Sequence, residues 1–420
     1  MKRSYLVLLG LAGLLGITAG SIGCGATSGE HIFGDGGAGG NATSGGGNGT
    51  AQGGAPSTST GDLGGGFVGG VGPGGSSGTS GMDCVTDPST DDDKDGLSEA
   101  QGDCNDCDPN VNPGSIEVLE NPNDPMAKPA DEDCDGMINN VAPPCDSNIA
   151  LTSPSADDGA KAIDLCQVAT GNKWGVIKAQ YVGANGAPRA YSPSIGIFSD
   201  FGPNVNVQGG TRMLGLSSGY ARLPNHPDAC NGISCSSYGG GTAPSGFPQD
   251  VPNCSGSSTI NDDIALEVQI KSPKNATGYS FNFKFYSFEY PEWVCTTFND
   301  QFIALVNPAP MGSINGNISF DKMTNPVSVN VAFFDVCDAP CPAGPAELQG
   351  TGFDVWDDAG GTTWLQTTAP IKGGDEVNIR FAIWDTGDTA WDSTVLVDNF
   401  QWIANGGTVV VGTDPPPDPK

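Results

Sequence analysis

The stretch GYSFNFKFYSF, residues 278–288, places a large aromatic side chain at every second position from Tyr279 to Phe285. The phenylalanines of this series are Phe281, Phe283 and Phe285. Side chains of an extended strand alternate between its two faces, so these rings share one face and the polar Asn282 and Lys284 take the other. The pattern predicts a half-buried β-strand whose aromatic face lies on a hydrophobic core.

Two further stretches repeat this alternation. In VSVNVAFF, residues 327–334, one face carries Val327, Val329 and Val331. In DEVNIRFAIW, residues 375–384, one face carries Val377, Ile379, Phe381 and Ile383. Gly, Pro and Asn turns separate such runs and no helices alternate with them, so we expect a mainly β fold, an antiparallel β-sandwich or jelly-roll-like domain over residues 146–405. One short amphipathic helix is predicted at Ala160–Ala169.

The whole chain has 420 residues, a formal net charge of −31 and an isoelectric point near 4.1. Binding to a phosphate backbone or to an anionic membrane surface needs clustered Lys and Arg, which this sequence does not contain. Nucleic acid is therefore not expected as a partner. The 64 glycines and 32 prolines indicate that much of the chain lies outside any hydrophobic core.

Residues 1–23 have the pattern of an export signal, because Lys2 and Arg3 precede a long uncharged apolar run. Cys24 follows directly, and SIGC resembles the cleavage site of bacterial lipoproteins, although Ser21 stands where Leu is usual. The resemblance implies that Cys24 is lipidated and anchors the protein to the outer membrane at the cell surface. The alternatives are an ordinary cleaved signal, which would make the protein secreted, and a thin membrane anchor.

Residues 24–82 consist mainly of Gly, Ser, Thr and Ala, with almost no large side chain. Such a segment is predicted to be a disordered Gly-rich tether, and about 58 residues of this kind span on the order of 40 Å. The last residues, 406–420, end in GTDPPPDPK and are predicted to form a disordered tail.

The 13 cysteines indicate an oxidising compartment, since a lipidated Cys24 leaves an even number for disulfides. One group runs from Cys84 to Cys166 and the other from Cys230 to Cys341, which favours pairing within each group. Spacing alone leaves the connectivity open.

Residues 83–145 form a strongly acidic module that opens with a calcium-loop pattern. The opening carboxylates are Asp91, Asp93 and Asp95. Gly96 follows them, which gives the D-x-D-x-D-G start of calcium loops, but the twelfth position, where an EF-hand has Glu, is Gly102. The candidates to complete the site are Asp103, Asp106 and Asp108. Calcium suits carboxylate ligands better than zinc, and the alternative is an acidic spacer without a ligand.

The stretch DDDKDGLSEAQGDCNDCDPNVNPGSIEV, residues 91–118, together with the later DEDCDG, resembles the metal-binding motif of MopE-like bacterial surface proteins. Lys94, Ser115 and an additional Cys107 depart from the family pattern. The resemblance implies further metal ligands in the second part of the motif, namely Asp131, Asp133 and Asp135. It also implies a disulfide between Cys104 and Cys134, which leaves Cys107 to join another cysteine.

Cys104 and Cys107 also form a C-x-x-C pair, which is typical of zinc or redox sites in cytosolic proteins. No second pair or histidine cluster accompanies it, and the export signal favours structural disulfides.

Residues 146 to about 405 resemble the choice-of-anchor L domain of bacterial surface proteins. The stretches that carry this resemblance are YSFNFKFYSFEYPEWVCTTFNDQFIALV, residues 279–306, and TTAPIKGGDEVNIRFAIWDTGDTAWDSTVLVDNFQW, residues 367–402. The resemblance implies a domain displayed at the cell envelope, without an established biochemical role.

The closing strand of this domain contains a carboxylate on an apolar face. Leu396, Phe400 and Trp402 share one face by the period of two, which places Asp398 among them. Three interpretations are open for Asp398. A bulge in the strand rotates its side chain outward, backbone N–H groups donate hydrogen bonds to its carboxylate, or the carboxylate binds a cation. Its partners in a cation site would be neighbours such as Asp385, Asp388 and Asp392. A second candidate metal set is Glu289, Asn299 and Asp300.

Tryptophans in turn-like surroundings are candidates for stacking on sugar rings, and the alternative for each is core packing. They are Trp293, Trp364 and Trp391, whereas Trp384 and Trp402 fall in predicted strands.

The sequence does not indicate an enzyme. Its histidines are His31 and His226, and neither G-x-S-x-G nor H-E-x-x-H occurs. We therefore expect a non-catalytic, lipid-anchored adhesion protein with a calcium-stabilised module, which binds an extracellular polysaccharide or a surface protein. The alternatives are a structural envelope or matrix component and a glycan-active hydrolase that uses two carboxylates.

Overall fold

The computed structural model describes residues 87–119, 128–189, 193–235, 238–330, 333–338, 341–356, 358–404 and 407–417. The described residues belong to one compact unit. The predicted signal, Cys24 and the predicted tether lie outside these residues. Within the described ranges, no helix is both long and apolar enough to cross a membrane.

Short helices and thirteen strands make up the regular structure of the described ranges. The helices are α1 Ala156–Lys161 and three 3-10 helices, Glu99–Gln101, Ala346–Leu348 and Phe353–Val355. The strands are β1 Gly175–Val182, β2 Ile195–Phe198, β3 Met213–Ser217, β4 Ile260–Lys271, β5 Ala276–Ser287, β6 Gln301–Asn307, β7 Val327–Ser328, β8 Phe334–Cys337, β9 Gly360–Thr362, β10 Leu365–Pro370, β11 Glu376–Thr386, β12 Ser393–Ala404 and β13 Gly412–Asp414.

The strands form two antiparallel sheets. One sheet has the order β1-β4-β11-β6-β7, and the other has the order β13-β10-β5-β12-β3-β2, with β9 added to β5 and β8 to β9. Each pair of neighbouring strands runs antiparallel. The prediction of a mainly β, antiparallel fold is confirmed.

The hydrophobic core lies where the alternating faces of the two sheets meet. The ring centroids of Phe281 on β5 and Phe381 on β11 are 4.9 Å apart, and those of Phe283 and Phe302 are 5.1 Å apart. Val377, with the other predicted inward residues of β11, is buried in the same cluster. Because these contacts join strands of opposite sheets, the period-two pattern identifies the face on which the sheets pack.

The prediction that β5 is half-buried is wrong, because its polar face is buried as well. Asn282 is 3% exposed and Lys284 is fully buried. The Lys284 ammonium forms an ion pair with Glu347 and donates a hydrogen bond of 2.6 Å to the carbonyl oxygen of Thr362. The segments around residues 346–362 cover this face, so a charged side chain is buried with its partners rather than solvated.

The predicted helix Ala160–Ala169 lies too far along the chain, since α1 ends at Lys161. Ser155 caps its start by accepting a hydrogen bond of 3.3 Å from the backbone N–H of Asp158. After α1 the chain becomes extended, and Ala169 donates a 2.9 Å hydrogen bond to the carbonyl oxygen of Val176 at the start of β1. Pairing with a strand therefore replaces the second half of the predicted helix.

Two other predictions are corrected at the sheet edges. In the VSVNVAFF stretch, β7 covers only Val327–Ser328 and β8 begins at Phe334; Val327 and Val329 are buried as predicted, and Val331 lies outside the described residues. The predicted disordered tail 406–420 contains β13, in which Thr413 lies opposite Thr367 of β10 and their hydroxyl groups are 2.8 Å apart. Backbone pairing with an open sheet edge orders a segment that composition alone marks as disordered.

Candidate functional site

The predicted calcium loop at the start of the acidic module is a tight turn with convergent carboxylates. Asp91 accepts a 2.9 Å hydrogen bond from the N–H of Gly96, and Asp93 accepts one of 3.0 Å from the N–H of Asp95. Gly96 has φ 99°, a left-handed conformation that favours glycine. Carboxylate oxygens of Asp91, Asp93 and Asp95 lie within 4.8 Å of one another. The loop thus presents an arrangement suited to a hard cation.

Asp103 and Asp106 complete this group, as the sequence predicts. Each is 4% exposed, and their oxygens lie within 4.8 Å of each other and of an oxygen of Asp93. Burial raises the pKa of Asp103 to about 6, a shift opposed by the N–H of Asn105 and increased by the carboxylates of Asp95 and Asp93. One buried oxygen each of Asp93, Asp95 and Asp103 has no hydrogen-bond partner. These partly buried carboxylates repel one another, and a bound cation would relieve that repulsion.

Asp108, which the sequence also nominates, stands outside the groups whose oxygens lie within 4.8 Å of one another. Its carboxylate accepts hydrogen bonds from the backbone N–H and the side-chain amide of Asn110, at 3.1 and 3.0 Å. Asp108 therefore stabilises a local turn and does not belong to the candidate metal group.

A second carboxylate group forms around residues 131–136, where DEDCDG repeats the D-x-D-x-D-G pattern. Asp131 accepts a 2.9 Å hydrogen bond from Gly136, as Asp91 does from Gly96 in the first loop. Oxygens of Asp131 and Asp133 lie within 4.8 Å of an oxygen of Glu117. Asp135 lies outside this group, because its carboxylate accepts from the backbone of Met137 and the amide of Asn140.

Glu117 is the residue that we did not predict as a ligand. The signal was present, because Glu117 belongs to the MopE-like motif and the D-x-D-x-D-G pattern occurs twice. The backbone N–H groups of Asp133 and Asn139 both donate to its carboxylate, which holds it against the second loop. The module therefore contains two candidate cation groups, the first closed by aspartates and the second by a glutamate.

Disulfides brace these loops and the sandwich. The Cys104–Cys134 bond, implied by the MopE-like resemblance, joins the two candidate loops. Cys107 is disulfide-bonded too, so the C-x-x-C pair is not a zinc or redox site. The other bonds in the described ranges are Cys145–Cys166, Cys230–Cys235, Cys254–Cys295 and Cys337–Cys341. Each of these bonds stays within one of the two predicted cysteine groups.

The acidic module is fastened to the sandwich at the turn between β4 and β5. Lys274 donates a hydrogen bond from its ammonium group to the carbonyl oxygen of Asp95. Asn275 donates to the carbonyl of Ile116 at 2.7 Å, and the indole N–H of Trp174 donates to Ser115 at 3.0 Å. The candidate loops are therefore held against a rigid sheet.

Asp398 is fully buried, and backbone donors account for its burial. Its carboxylate accepts hydrogen bonds from the N–H groups of Gln208, Gly209 and Asn399, at 2.5, 3.3 and 2.6 Å. Burial raises its pKa well above the usual value, against the effect of the Gln208 donor. The strand has a register shift directly after Asp398, yet the side chain stays inside. Of the interpretations left open by the sequence, satisfied hydrogen bonding describes this residue.

The remaining predicted acidic residues meet elsewhere. Burial raises the pKa values of Glu289, Asp300, Asp385 and Asp392, and the charge of Asp300 raises those of the other three further. Asp385 and Asp392, nominated as partners of Asp398, therefore lie instead near Glu289 and Asp300 of the second candidate set. Asn299 directly precedes Asp300 in the sequence. It is buried and accepts a 3.2 Å hydrogen bond from the N–H of Asn330.

Two of the three nominated tryptophans lie together and are half-buried, and Trp391 packs against the core. The rings of Trp293 and Trp391 are 5.5 Å apart and inclined by 82°. Trp356, which we did not nominate, is 43% exposed and lies 6.1 Å from Trp391. Trp364 is only 5% exposed and belongs to the core, so core packing, the alternative left open by the sequence, describes this residue.

We define Trp293, Trp356 and Trp391, with the exposed Val294 and Val355, as the tryptophan patch. Its tryptophans come from three separate loops. Trp391 has φ 69°, a conformation rare for a bulky residue, and its N–H donates a 2.9 Å hydrogen bond to the hydroxyl of Ser234. Such local strain is common where a loop must present a side chain to a partner.

The comparisons with known proteins identify the domain. The family model of the choice-of-anchor L domain matches residues 161–400. No curated protein matches the chain significantly.

Two solved structures show a weak likeness. The selenomethionine-labelled β-glucosidase from Kluyveromyces marxianus is 11% identical over 45% of this chain and 17% of its own length, with a TM-score of 0.17. The same enzyme in complex with glucose is 10% identical over 47% of this chain and 17% of its own length, with a TM-score of 0.16. The chain thus spans about a sixth of the length of these enzymes, and the likeness carries no argument about fold or activity. The family match covers more than half of the chain, so this protein belongs to the choice-of-anchor L domain family, which indicates a cell-surface or extracellular protein.

Proposed function

We propose that this protein is a non-catalytic, lipid-anchored adhesion protein of the outer cell surface that binds a neutral extracellular polysaccharide through the tryptophan patch. The observation that carries the proposal is the patch itself. Large apolar side chains that are exposed together mark a binding surface, whereas scattered ones do not. Trp356 at 43%, Val294 at 41% and Val355 at 55% exposure meet this condition.

The geometry of the patch suits sugar rings. Trp293 and Trp391 are half-buried and meet edge to face at 82°, and the exposed ring of Trp356 beside Trp391 offers a surface on which a sugar ring can stack. The carboxyl groups of Glu292 and Asp358 are in hydrogen-bond contact beside it and offer acceptors to sugar hydroxyls. The cavity beside Val355 has a volume of only about 50 Å³, so a ligand would lie on the surface.

The net charge of −31 selects the polymer class. An acidic protein repels uronate-rich, sulfated or phosphorylated polymers, and the rim carboxyls of Glu292 and Asp358 repel them locally. A neutral polysaccharide avoids this repulsion while it keeps the stacking and hydrogen bonds. A surface protein is the other partner class that a tryptophan patch fits, and the experiment below separates the two.

The carboxyl arrangement supports binding rather than hydrolysis. Glycosidases place two carboxyl groups about 5 Å apart or more, on opposite sides of the scissile bond. Glu292 and Asp358 touch each other, which leaves no room for a sugar between them. The four acidic residues with raised pKa values inside the sandwich are at most 4% exposed.

The lipid anchor and calcium complete the proposal. Cys24 after an apolar signal, with a Gly-rich tether behind it, would hold the domain at a distance from the membrane. The two carboxylate groups of the acidic module would each hold a calcium ion, which would stabilise loops that have little apolar surface to bury. Labelling of wild-type cells with an alkyne fatty acid, compared with a Cys24→Ala strain, tests the anchor.

Retention on immobilised polysaccharides tests the binding surface. Residues 25–420 should be retained on at least one neutral polysaccharide, and Trp391→Ala or Trp356→Ala should reduce retention at least tenfold. Met311→Ala is the matched control, because Met311 is an exposed apolar residue, 92% exposed, in a different loop. Equal retention of both tryptophan variants and the control would overturn the assignment of the patch. Retention on a purified surface protein but on none of the polysaccharides would replace the proposed partner.

A further inference from the structure

A group of four carboxylates lies inside the sandwich at one end of four central strands. Asp300 directly precedes β6, Asp385 is the penultimate residue of β11, Asp392 directly precedes β12, and Glu289 follows β5 by two residues. The first two strands belong to the five-stranded sheet and the other two to the eight-stranded sheet. We call these residues the inter-sheet carboxylates.

The inter-sheet carboxylates are almost inaccessible to solvent. Asp300 is fully buried, Asp385 is 1% exposed, Glu289 is 2% exposed and Asp392 is 4% exposed. None of the ion pairs found among the described residues involves any of them. Burial of several ionisable acids without a compensating positive charge is costly, so the site requires either protons or a cation.

The hydrogen bonds of Asp300 and Asp392 are those of charged acceptors. Asp300 accepts from the N–H of Thr386 at 2.8 Å and from the hydroxyl of Ser393 at 2.7 Å. Asp392 accepts from the N–H of Cys235 at 2.7 Å, while its second oxygen is buried and has no partner. Donors of this kind favour the ionised carboxylate.

Asp385 is the residue that points to a ligand. Both of its carboxylate oxygens are buried without a hydrogen bond of normal geometry. Its charge is repelled by Asp300 and Asp392, and its hydrogen-bonding neighbours are the hydroxyl of Ser218 and the carboxyl group of Asp300. A fully buried carboxylate that faces two other acids and accepts no hydrogen bond of normal geometry is rare in native structures. We infer that the inter-sheet carboxylates bind a divalent cation, with Asp385 as its central ligand, and that this ion joins the two sheets.

Calcium is the cation that this chemistry fits. The available ligands are carboxylate and hydroxyl oxygens, without histidine or a free thiol among them, and calcium accepts six to eight such oxygens in irregular geometry. In the described residues, the groups of three carboxylates with oxygens within 4.8 Å of one another all lie in the acidic module, so the inter-sheet carboxylates are farther apart than such a group. A bound ion would therefore draw the oxygens of Asp385 and Asp392 toward Asp300.

The position of the ion gives it a role at the surface. Glu289 and Asp300 enclose the loop that carries Trp293, and Asp385 and Asp392 enclose the loop that carries Trp391. An ion that fixes the ends of both loops would fix the relative position of Trp293 and Trp391 in the tryptophan patch. The cation site itself does not rest on the proposed polysaccharide.

Calcium stoichiometry tests this inference. Residues 25–420 are saturated with calcium, freed from excess by gel filtration and analysed for bound calcium per chain by mass spectrometry of the metal. Asp385→Asn should bind one ion fewer than the parent, and Asp392→Asn should show the same loss if Asp385→Asn does not fold. Asp157→Asn, which removes an exposed carboxylate on α1, should keep the full number.

A second measurement isolates the inter-sheet ion from those of the module. In a chain with Asp93→Asn, Asp95→Asn, Asp131→Asn and Asp133→Asn, calcium should still raise the melting temperature of the sandwich, and added Asp385→Asn should abolish this rise. Equal calcium content of folded Asp385→Asn, folded Asp392→Asn and the parent would overturn the inference. A parent chain that binds no polysaccharide but loses one ion on Asp385→Asn would contradict the proposed function and leave the cation site intact.

Discussion

Asp385 lies beside Asp300 in the interior of the sandwich, at the end of the ladder in which Trp384 pairs with Gln301. Burial and the charge of Asp300 raise the pKa of Asp385, whereas burial raises the pKa of Asp300 and a side-chain hydrogen bond with Asp385 lowers it. In the sequence these residues are 85 positions apart, and pairing of β6 with β11 brings them together. This pairing places two buried acidic side chains at the ends of the loops that carry the tryptophan patch.

The first prediction concerns the first calcium loop. Asp93→Asn combined with Asp95→Asn should lower the melting temperature in calcium but not in chelator, because the lost ion stabilises only the folded module. At a calcium concentration of 100 times Kd, one bound ion raises the free energy of unfolding by about 2.7 kcal/mol. Thermal unfolding followed by circular dichroism measures the difference, with Asp157→Asn as the control. Identical melting curves of variant and parent in both conditions would remove calcium from this loop.

The second prediction separates the second loop from the first. Glu117→Gln should reduce bound calcium by one ion, since the neutral amide is a weaker ligand for the group with Asp131 and Asp133. Asp108→Asn should leave the calcium content unchanged, because Asp108 lies outside both groups. Metal analysis after gel filtration gives both numbers. An ion lost from the Asp108 variant and not from the Glu117 variant would reverse the assignment.

The third prediction concerns the disulfide between the loops. Cys104→Ser with Cys134→Ser should cost roughly 3 to 4 kcal/mol of module stability in chelator, because the bond closes a chain segment with a sequence separation of 30. Cys337→Ser with Cys341→Ser, at a separation of 4, should cost less. Urea unfolding measures both losses. A larger loss from the short pair would show that chain entropy does not govern these bonds.

The fourth prediction concerns the buried Lys284. Burial lowers its pKa, an effect opposed by the charges of Glu347 and Asp335. Glu347→Ala leaves the ammonium buried without its ion-pair partner and should destabilise the protein by roughly 1 to 3 kcal/mol, a range reduced for the partial exposure of Glu347. Lys284→Met should cost less, since it removes the charge and keeps the volume.

The pH dependence of this loss has a definite sign. The folded pKa of Lys284 lies below its unfolded value, so at alkaline pH the unfolded chain holds a proton that the folded chain has released. Stability then rises with pH in that window, and the loss caused by Glu347→Ala should shrink as the pH rises toward 10.5. Urea unfolding between pH 7 and pH 10 measures this trend. A loss that grows with pH would assign the effect of Glu347 to another contact.

The sequence predicts the parts of this fold that depend on local alternation. Phe281, Phe283 and Phe285 identify the inner face of β5 because a period of two needs no tertiary information. The D-x-D-x-D-G loops are similarly local, since the hydrogen bonds of Asp91 close within five residues. These features are encoded in short stretches of chain.

The rest depends on contacts that no local pattern contains. Lys284 is typical of a solvated face, and its burial follows from the distant segment that supplies Glu347 and Thr362. Period two correctly places Asp398 inside, but two of its three backbone donors, Gln208 and Gly209, are 190 and 189 positions away. The inter-sheet carboxylates appear in the sequence as two separate candidate sets, and only strand register joins them.

The most direct test of the account is retention of residues 25–420 on a panel of neutral polysaccharides, once in calcium and once in chelator. We expect retention on at least one polysaccharide in calcium, and weaker retention in chelator because the loops of Trp293 and Trp391 lose their common support. A folded, calcium-loaded chain that is retained on none of the neutral polysaccharides would contradict the proposed adhesion function.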